Sequence, residues 1–181
     1  MIQIPRQAGI LSRLACKDQL RYALSGIQLV ANGTESRLIA TDGHVLGIVR
    51  GPAVPPGSEA CVLIPLPAWV ECFKHAKDGH VEVHKESLAA VGKTQTVVGF
   101  EPLDGRFPDY MRVLPSLLPL ATANVNPRLL IKVLEVAAAI AETRGDDTSR
   151  VQLYFYKPNV PLGMTAKGAD LTFDGLVMPL S

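Results

Sequence analysis

The sequence lacks the charge imbalance that is typical of proteins that coat nucleic acid. Its 18 basic and 17 acidic residues leave a formal net charge of +1 over 181 residues. Proteins that bind phosphate over much of their surface are usually strongly basic. Any contact with nucleic acid must therefore come from a local cluster of cations rather than from the global charge.

Paired cysteines and long apolar runs are also missing. Cys16, Cys61 and Cys72 are an odd number without paired spacing, which predicts neither a disulfide framework nor a zinc site. No apolar run approaches the ~20 residues that cross a bilayer, and the first residues do not follow the pattern of a signal peptide. We therefore expect a soluble, cytoplasmic protein with reduced thiols and no membrane contact.

Apolar residues, by contrast, are plentiful at 48%, and they fall in short segments. Residues 27–31 and 37–41 flank a turn that contains Asn32 and Gly33, which predicts a hairpin. Two helices are predicted, at 67–77 and at about 126–143, and each has a proline in its first turn. The order of strand, proline, helix and strands occurs twice, which predicts a weak internal repeat in an α+β fold. Further strands are predicted at 44–49, 61–64, 80–85, 88–91, 96–100, 151–156, 162–166 and 171–178.

Two groups of residues are candidates for chemistry. His80, Glu82 and His84 lie on one face of a predicted strand and could bind zinc, and Asp42 with His44 could supply acid–base chemistry. The alternatives are a polar outer strand face and an ordinary Asp-Gly turn. Because the sequence has no P-loop, nucleophile elbow or HExxH motif, we expect no catalysis and no cofactor. A metal-dependent enzyme stays the less favoured hypothesis.

Four segments carry a family resemblance: LRYALSG at 20–26, IATDGHVL at 39–46, DGRFPDYMRVLP at 104–115 and LVMPLS at 176–181. In this order they resemble the β subunit of bacterial DNA polymerase III, the sliding clamp. The resemblance implies the DNA-clamp fold, with antiparallel sheets outside and helices lining the inner face. Residues 1–117 resemble the middle domain of the clamp, and 118–181 resemble parts of its third domain.

The resemblance implies a processivity factor that encircles double-stranded DNA and docks replication or repair proteins, including DNA polymerase and clamp-loader peptides. In the family, such peptides enter a hydrophobic pocket between the second and third domains. Val45 stands where the family usually has arginine, so the peptide preference is expected to differ. The pocket maps to Arg21, Leu24, Thr41, Gly43, His44, Leu46, Pro108, Arg112 and Val113, and to the tail residues Leu176, Met178, Pro179 and Leu180.

The resemblance also implies DNA contacts that meet phosphate without reading bases, because a ring must slide. The family often has basic residues at the positions of Leu66 and Pro67, and this sequence has none there. An ordinary solvated helix face is the alternative for the lysines. The DNA-contact candidates are Lys17, Gln19, Tyr22, Lys74, Lys77, Arg128 and Lys132.

The sequence also predicts that copies of the chain associate with one another. The helix that starts at Pro127 is too apolar for a single solvated face, and a second copy related by a twofold axis is the simplest cover. With about one and a half clamp domains per chain, four copies match the domain count of the family ring, so a homotetramer is favoured over a dimer or a monomer. A clamp-like decoy that binds clamp-interacting peptides without encircling DNA is the alternative function. The apolar residues of this helix are Leu129, Leu130, Val133, Leu134, Val136, Ala137 and Ile140.

Overall fold

A computed structural model of the chain describes residues 2–18, 20–114, 122–142, 150–156, 160–167 and 172–179. The chain folds into two compact units, Met1–Leu114 and Pro115–Ser181, here called unit 1 and unit 2. This division lies close to the predicted boundary after residue 117. Each unit is described by itself below.

Within the described residues of unit 1, eight strands form two antiparallel four-stranded sheets. One sheet has the order β1-β6-β7-β8 and the other has the order β4-β3-β2-β5. The predicted hairpin is confirmed, since β2 and β3 pair in register from Gln28 opposite Ile39 to Ala31 opposite Ser36. The strands are β1 (Ile2–Pro5), β2 (Gly26–Ala31), β3 (Ser36–Thr41), β4 (Leu46–Gly51), β5 (Ala60–Pro65), β6 (His80–Val83), β7 (Ser87–Val91) and β8 (Gln95–Gly99).

Helical segments cover one side of this unit. The helix α1 spans Leu66–His75, and a 3₁₀ helix spans Arg6–Arg13. The predicted extension of α1 to Lys77 is wrong, because Ala76, with φ −82° and ψ 48°, already leaves the helical conformation. Two shorter 3₁₀ segments span Tyr22–Leu24 and Tyr110–Val113. The sequence pattern missed all three 3₁₀ segments and β1.

The core of unit 1 is centred on Trp69 of α1, which is fully buried. Its indole Nε1–H donates to the carbonyl oxygen of Gly9 at 3.3 Å, and its ring lies 4.4 Å from the ring of Phe73. A Cβ added to Gly9 would lie 2.6 Å from Cδ1 of Phe73, so glycine permits this close approach of the 3₁₀ helix to α1. Burial of large aromatic and aliphatic side chains is the main stabilising term here. Ile27, Leu29, Ile64, Val81 and Leu88 complete the centre of this core.

The second sheet of unit 1 is also buried on its other face. Ile39 and Leu63 are buried there, although the main core contacts the opposite face through Ile27 and Leu29. The chain that follows β8 runs beside the β5 edge of this sheet, since the Leu103 N–H donates to the carbonyl oxygen of Leu63 at 3.0 Å. The block DGRFPDYMRVLP at 104–115 therefore begins next to β5, in the same sheet whose strands β3 and β4 flank the ATDGH turn.

Unit 2 has a smaller core. Its described segments form a three-stranded antiparallel sheet of order β11-β10-β9, packed against the helix α2 (Pro127–Glu142). Asn126 caps this helix, because its Oδ1 accepts the N–H of Arg128 at 2.9 Å. The strands are β9 (Val151–Tyr154), β10 (Leu162–Lys167) and β11 (Thr172–Val177), and the buried residues are Ala137, Ala141, Leu162, Met164, Ala166 and Val177.

The α+β class and the antiparallel sheets are thus confirmed, while element ends shift by a few residues. His44 was predicted to begin a strand, but β4 begins at Leu46 because residues 42–45 form a tight turn. Residues 143 and 171, predicted as ends of a helix and of a strand, lie outside the described residues. No helix in the described ranges is both long and apolar enough to span a membrane.

Candidate peptide-binding and DNA-binding surfaces

The ATDGH block forms a turn that its own side chains hold in place. The Thr41 hydroxyl donates to the carbonyl oxygen of Val45 at 2.6 Å and accepts the N–H of Gly43 at 3.0 Å. Asp42 Oδ1 accepts the N–H groups of His44 at 2.8 Å and Val45 at 2.9 Å. Gly43 has a φ of +96°, a conformation that other residues rarely adopt. The turn is therefore specified locally.

The charge of Asp42 belongs to this turn. The backbone N–H groups of Val45 and His44 hold the pKa of the Asp42 carboxyl below its ordinary value, since both donate to the ionised form. A carboxylate that accepts two backbone hydrogen bonds is a structural cap. This arrangement supports the turn interpretation of Asp42 and His44 over the acid–base hypothesis.

A loop from the start of the chain meets this turn. Arg21 Nη1 donates to the carbonyl oxygen of Asp42 at 3.2 Å. The Leu24 carbonyl oxygen accepts the N–H of Cys16 at 3.1 Å, which ties the loop back to the chain before it. Two predicted pocket residues, Arg21 and Gly43, therefore lie side by side.

The block at 104–115 is joined to the same sheet by polar contacts. Arg37 of β3 donates to the Tyr110 hydroxyl at 3.1 Å and contacts Met111 Sδ at 3.9 Å. Arg37 also forms an ion pair with Glu35, which holds the pKa of the Glu35 carboxyl below its ordinary value. These contacts join the 3₁₀ segment Tyr110–Val113, which contains the predicted residues Arg112 and Val113, to the β2–β3 hairpin.

Unit 1 joins the loop at 20–24 to the turn at 41–46 through Arg21, and it holds the segment 108–113 against Arg37, toward the other end of β3. These three parts are here called the ATDGH surface. Thr41 and Leu46 are directly opposed on β3 and β4, so their side chains share one face. Thr41 is buried and Leu46 is half-buried, whereas Val113 is 71% exposed. Apolar side chains with nearby arginines are suited to anchoring leucine or phenylalanine side chains of a peptide. Exposed neighbours that the sequence reasoning did not select are Leu20, Val45 and Met111.

The predicted tail residues lie in unit 2. Leu176 of β11 and Met178 just after it are exposed, at 66% and 64%. Pro179 forms an isolated bridge with Val125. Leu180 lies outside the described residues.

Exposed cations lie on and near the two packed helices of unit 1. Lys74 of α1 is exposed, but its ammonium lies 2.7 Å from Glu71 Oε2, which offsets part of its charge. Lys77 lies beyond the end of α1, and its carbonyl oxygen accepts a hydrogen bond from Arg6. Arg6 and Arg13 are exposed on the 3₁₀ helix that packs against α1. The sequence reasoning missed both arginines because this helix was not predicted.

The remaining DNA-contact candidates lie elsewhere in the two units. Lys17 and Tyr22 are exposed in unit 1, and Gln19 lies outside the described residues. In unit 2, Arg128 and Lys132 are exposed and are four residues apart on α2. Helical geometry puts both on the side opposite Ala137, which faces the sheet.

His80, Glu82 and His84 do lie close together, because both imidazoles approach the Glu82 carboxylate. Nε2 of His80 is 3.3 Å from Glu82 Oε1, and Nε2 of His84 is 3.8 Å from Glu82 Oε2. Among the described residues, no group of three His, Cys, Asp or Glu side chains has an arrangement that could hold a metal ion. The structure gives the metal-dependent enzyme hypothesis no support.

Comparison with known proteins adds a sequence relationship over part of the chain. The Beta sliding clamp of Salmonella typhimurium is 33% identical over 104 residues, which is 55% of this chain and 28% of that protein. The Beta sliding clamp of Escherichia coli K12 matches over the same extent with the same identity. The matched residues thus cover well under half of these curated relatives. No family model matches the sequence.

Solved structures extend the likeness to the whole chain. The DNA polymerase sliding clamp from Pseudomonas aeruginosa superposes with a TM-score of 0.72 at 21% identity, covering 98% of this chain and 50% of that one. The chain has the sliding-clamp fold. The clamp from Bacillus subtilis gives the same TM-score at 18% identity, over 98% of this chain and 48% of its own. The family resemblance seen in the motif blocks is thereby confirmed.

Proposed function

We propose that this protein acts as a DNA sliding clamp, a processivity factor that encircles double-stranded DNA and docks replication or repair proteins. The observation that carries the proposal is the sliding-clamp fold over nearly the whole chain, together with 33% identity to proteins named Beta sliding clamp over 104 residues. The role is a scaffold's role, without catalysis or a cofactor.

Partner proteins dock on the ATDGH surface through short peptides of the clamp-binding type. The proposal is supported by the pairing of Thr41 with Leu46, by the exposed Val113 and by the contact between Arg21 and the turn. Leucine or phenylalanine anchors bury apolar area there, and each contributes about 1–2 kcal/mol once ordering costs are counted. The exposed Leu176 and Met178 are a second candidate contact for the peptides.

DNA is held through its phosphates. Exposed cations on the helices, including Arg6, Arg13, Arg128 and Lys132, support this part of the proposal. Their number is small, and the ion pair of Lys74 with Glu71 reduces it further. We therefore expect weak, salt-sensitive DNA contact, so that retention depends on a closed ring.

Ring closure needs several copies, and α2 is the proposed contact. Leu129, Val133, Val136 and Ile140 follow each other at intervals of four, three and four residues, the spacing of a helix that packs against another helix. Leu129 and Val136 are 46% and 47% exposed. The same stripe on a second copy, related by a twofold axis, covers them. A tetramer is favoured over a dimer.

A topological experiment tests the clamp function. Dilute subunits are concentrated in the presence of a closed circular plasmid, so that assembly takes place around the DNA without a loader. We expect protein to stay on the circle during gel filtration at about 0.5 M salt, where phosphate contacts alone fail. Cutting the plasmid once should release it. Equal retention on linear and circular DNA would contradict encirclement, and failure to be retained on either, with peptide binding intact, would favour the decoy alternative.

A further inference from the structure

A groove in unit 1 lies away from the ATDGH turn. It has a volume of about 840 Å³ and runs between the two sheets, with β5 on one side and Ile2, Val83 and His84 on the other. Residues 102, 103 and 105–107 complete its lining. A groove of this size is large enough for several residues of an extended peptide. We propose that it binds an extended peptide as an added strand beside β5, with a carboxylate of the peptide held by Lys85 and Arg106.

The backbone of β5 supports a strand as the occupant. This strand is an edge of its sheet and pairs only with β2 among the described strands. Successive residues of a strand send their N–H and C=O groups to opposite sides. The carbonyl oxygen of Leu63 points away from β2, because it accepts the N–H of Leu103 at 3.0 Å. Cys61, two residues earlier, therefore also directs its N–H and C=O groups away from β2.

These outward groups of Cys61 are available to a ligand. Within the described residues, no backbone hydrogen bond joins Cys61 to anything outside the sheet. Unpaired N–H and C=O groups on an edge strand are a template for another extended chain. The protein already uses this edge once, where Leu63 accepts the Leu103 N–H, and both residues also line the groove.

The charges around the groove select an acidic ligand. Lys85 and Arg106 line it and are exposed, and neither has an ion-pair partner among the described residues. Glu59 is the carboxylate of the lining, but its Oε2 already accepts the N–H of Gly57 at 2.9 Å. His84 is directed toward Glu82, at 3.8 Å. The lining therefore offers two cations, Lys85 and Arg106, against one carboxylate, Glu59, so its charge favours an acidic ligand.

Cys61 provides a reporter inside the groove. Its thiol is exposed, and its Sγ accepts a hydrogen bond from the buried Gln28 side chain at 3.3 Å. Cys16 and Cys72 are buried, and burial raises the pKa of the Cys72 thiol to about 11. A thiol reagent thus reacts first at Cys61, and a bound peptide should slow that reaction.

The experiment selects peptides from a random heptapeptide phage library against the full chain, then measures alkylation of Cys61 by N-ethylmaleimide with each peptide present. We expect enriched acidic peptides that slow alkylation at least about tenfold at saturation. Their Kd should rise at least about tenfold in the Lys85→Glu/Arg106→Glu variant. It should rise similarly in Cys61→Pro, which removes an edge N–H that β2 does not use.

Matched controls separate this site from the ATDGH surface. Cys61→Ser keeps the backbone donor and should bind the peptides within about twofold of the unmodified chain. Leu46→Asp should also leave this binding unchanged, so the result is independent of the proposed clamp function. The proposal is overturned if no enriched peptide protects Cys61, or if protecting peptides bind the charge-reversed variant equally well. The protection readout needs no substitution, so it stands even if Cys61→Pro fails to fold.

Discussion

The two units use the same kind of layer, helix against antiparallel sheet, but they complete it to different extents. In unit 1, the 3₁₀ helix Arg6–Arg13 and α1 pack together, and Trp69 is fully buried against Gly9. In unit 2, the described residues provide only α2 over a three-stranded sheet. Leu129 and Val136 on α2, and Leu153 on β9, stay substantially exposed. The two packed helices of unit 1 bury their shared side, whereas among the described residues of unit 2 part of the α2 flank stays exposed.

Substitutions in the core of each unit should have the largest effects. Trp69→Ala should lower the free energy of unfolding by about 3–5 kcal/mol, because it leaves a large cavity in unit 1. Met164→Ala, at the centre of the smaller core, should cost about 2–5 kcal/mol and act on unit 2. Hydrogen exchange with mass spectrometry locates each effect. Val70→Ala is the control, since Val70 is an exposed neighbour of Trp69 on α1. An unchanged unfolding free energy in Trp69→Ala would refute the packing described for unit 1.

Assembly tests whether the exposed flank of α2 is an interface. Val136→Glu should lower the mass measured by light scattering at micromolar concentration, because a charge buried between helices costs at least about 2 kcal/mol per copy. Ala139→Glu changes an exposed position on another side of α2 and should leave the mass unchanged. If the unmodified chain has the mass of a monomer, the proposed α2 contact is wrong. A dimer that does not associate further would leave encirclement without support.

Peptide binding tests how the two units share the proposed docking role. Leu46→Asp should weaken binding of a labelled clamp-binding peptide at least about tenfold, or ~1.4 kcal/mol, in fluorescence anisotropy. Met178→Asp should have a similar effect if the tail residues take part. Binding that is lost in Leu46→Asp but unchanged in Met178→Asp would assign docking to unit 1 alone. Unchanged binding in both variants would show that neither surface holds the peptide.

The smallest expected effects concern DNA. Lys132→Gln should reduce the salt dependence of DNA binding by about one counterion. Lys74→Gln should change it less, because the Lys74 ammonium already lies 2.7 Å from Glu71 Oε2. Filter binding over a series of salt concentrations measures both slopes. Equal slopes would mean that the ion pair does not persist when DNA is bound.

Most strands and the two α-helices could be predicted because their signals are local. Asn32 accepts the N–H groups of Thr34 and Glu35 within its own turn, and Asn126 caps α2 from the adjacent residue. The 3₁₀ helix Arg6–Arg13 could not be predicted in this way. It includes Gly9, a poor helix former, and its packing depends on Phe73 and Trp69, which are distant in the sequence. Arg6 and Arg13 were missed for the same reason.

The candidate site also has parts that local sequence determines and parts that depend on distant residues. The sequence by itself determined the ATDGH turn, since Thr41, Asp42 and Gly43 supply its hydrogen bonds and its positive φ. Only the tertiary structure decided that Arg37 meets Tyr110, 73 residues away, and that β5 is an edge with a groove beside it. Hydrogen bonds within a turn depend on neighbouring residues. Contacts between distant segments depend on which surfaces the whole chain buries, and no short pattern contains that information.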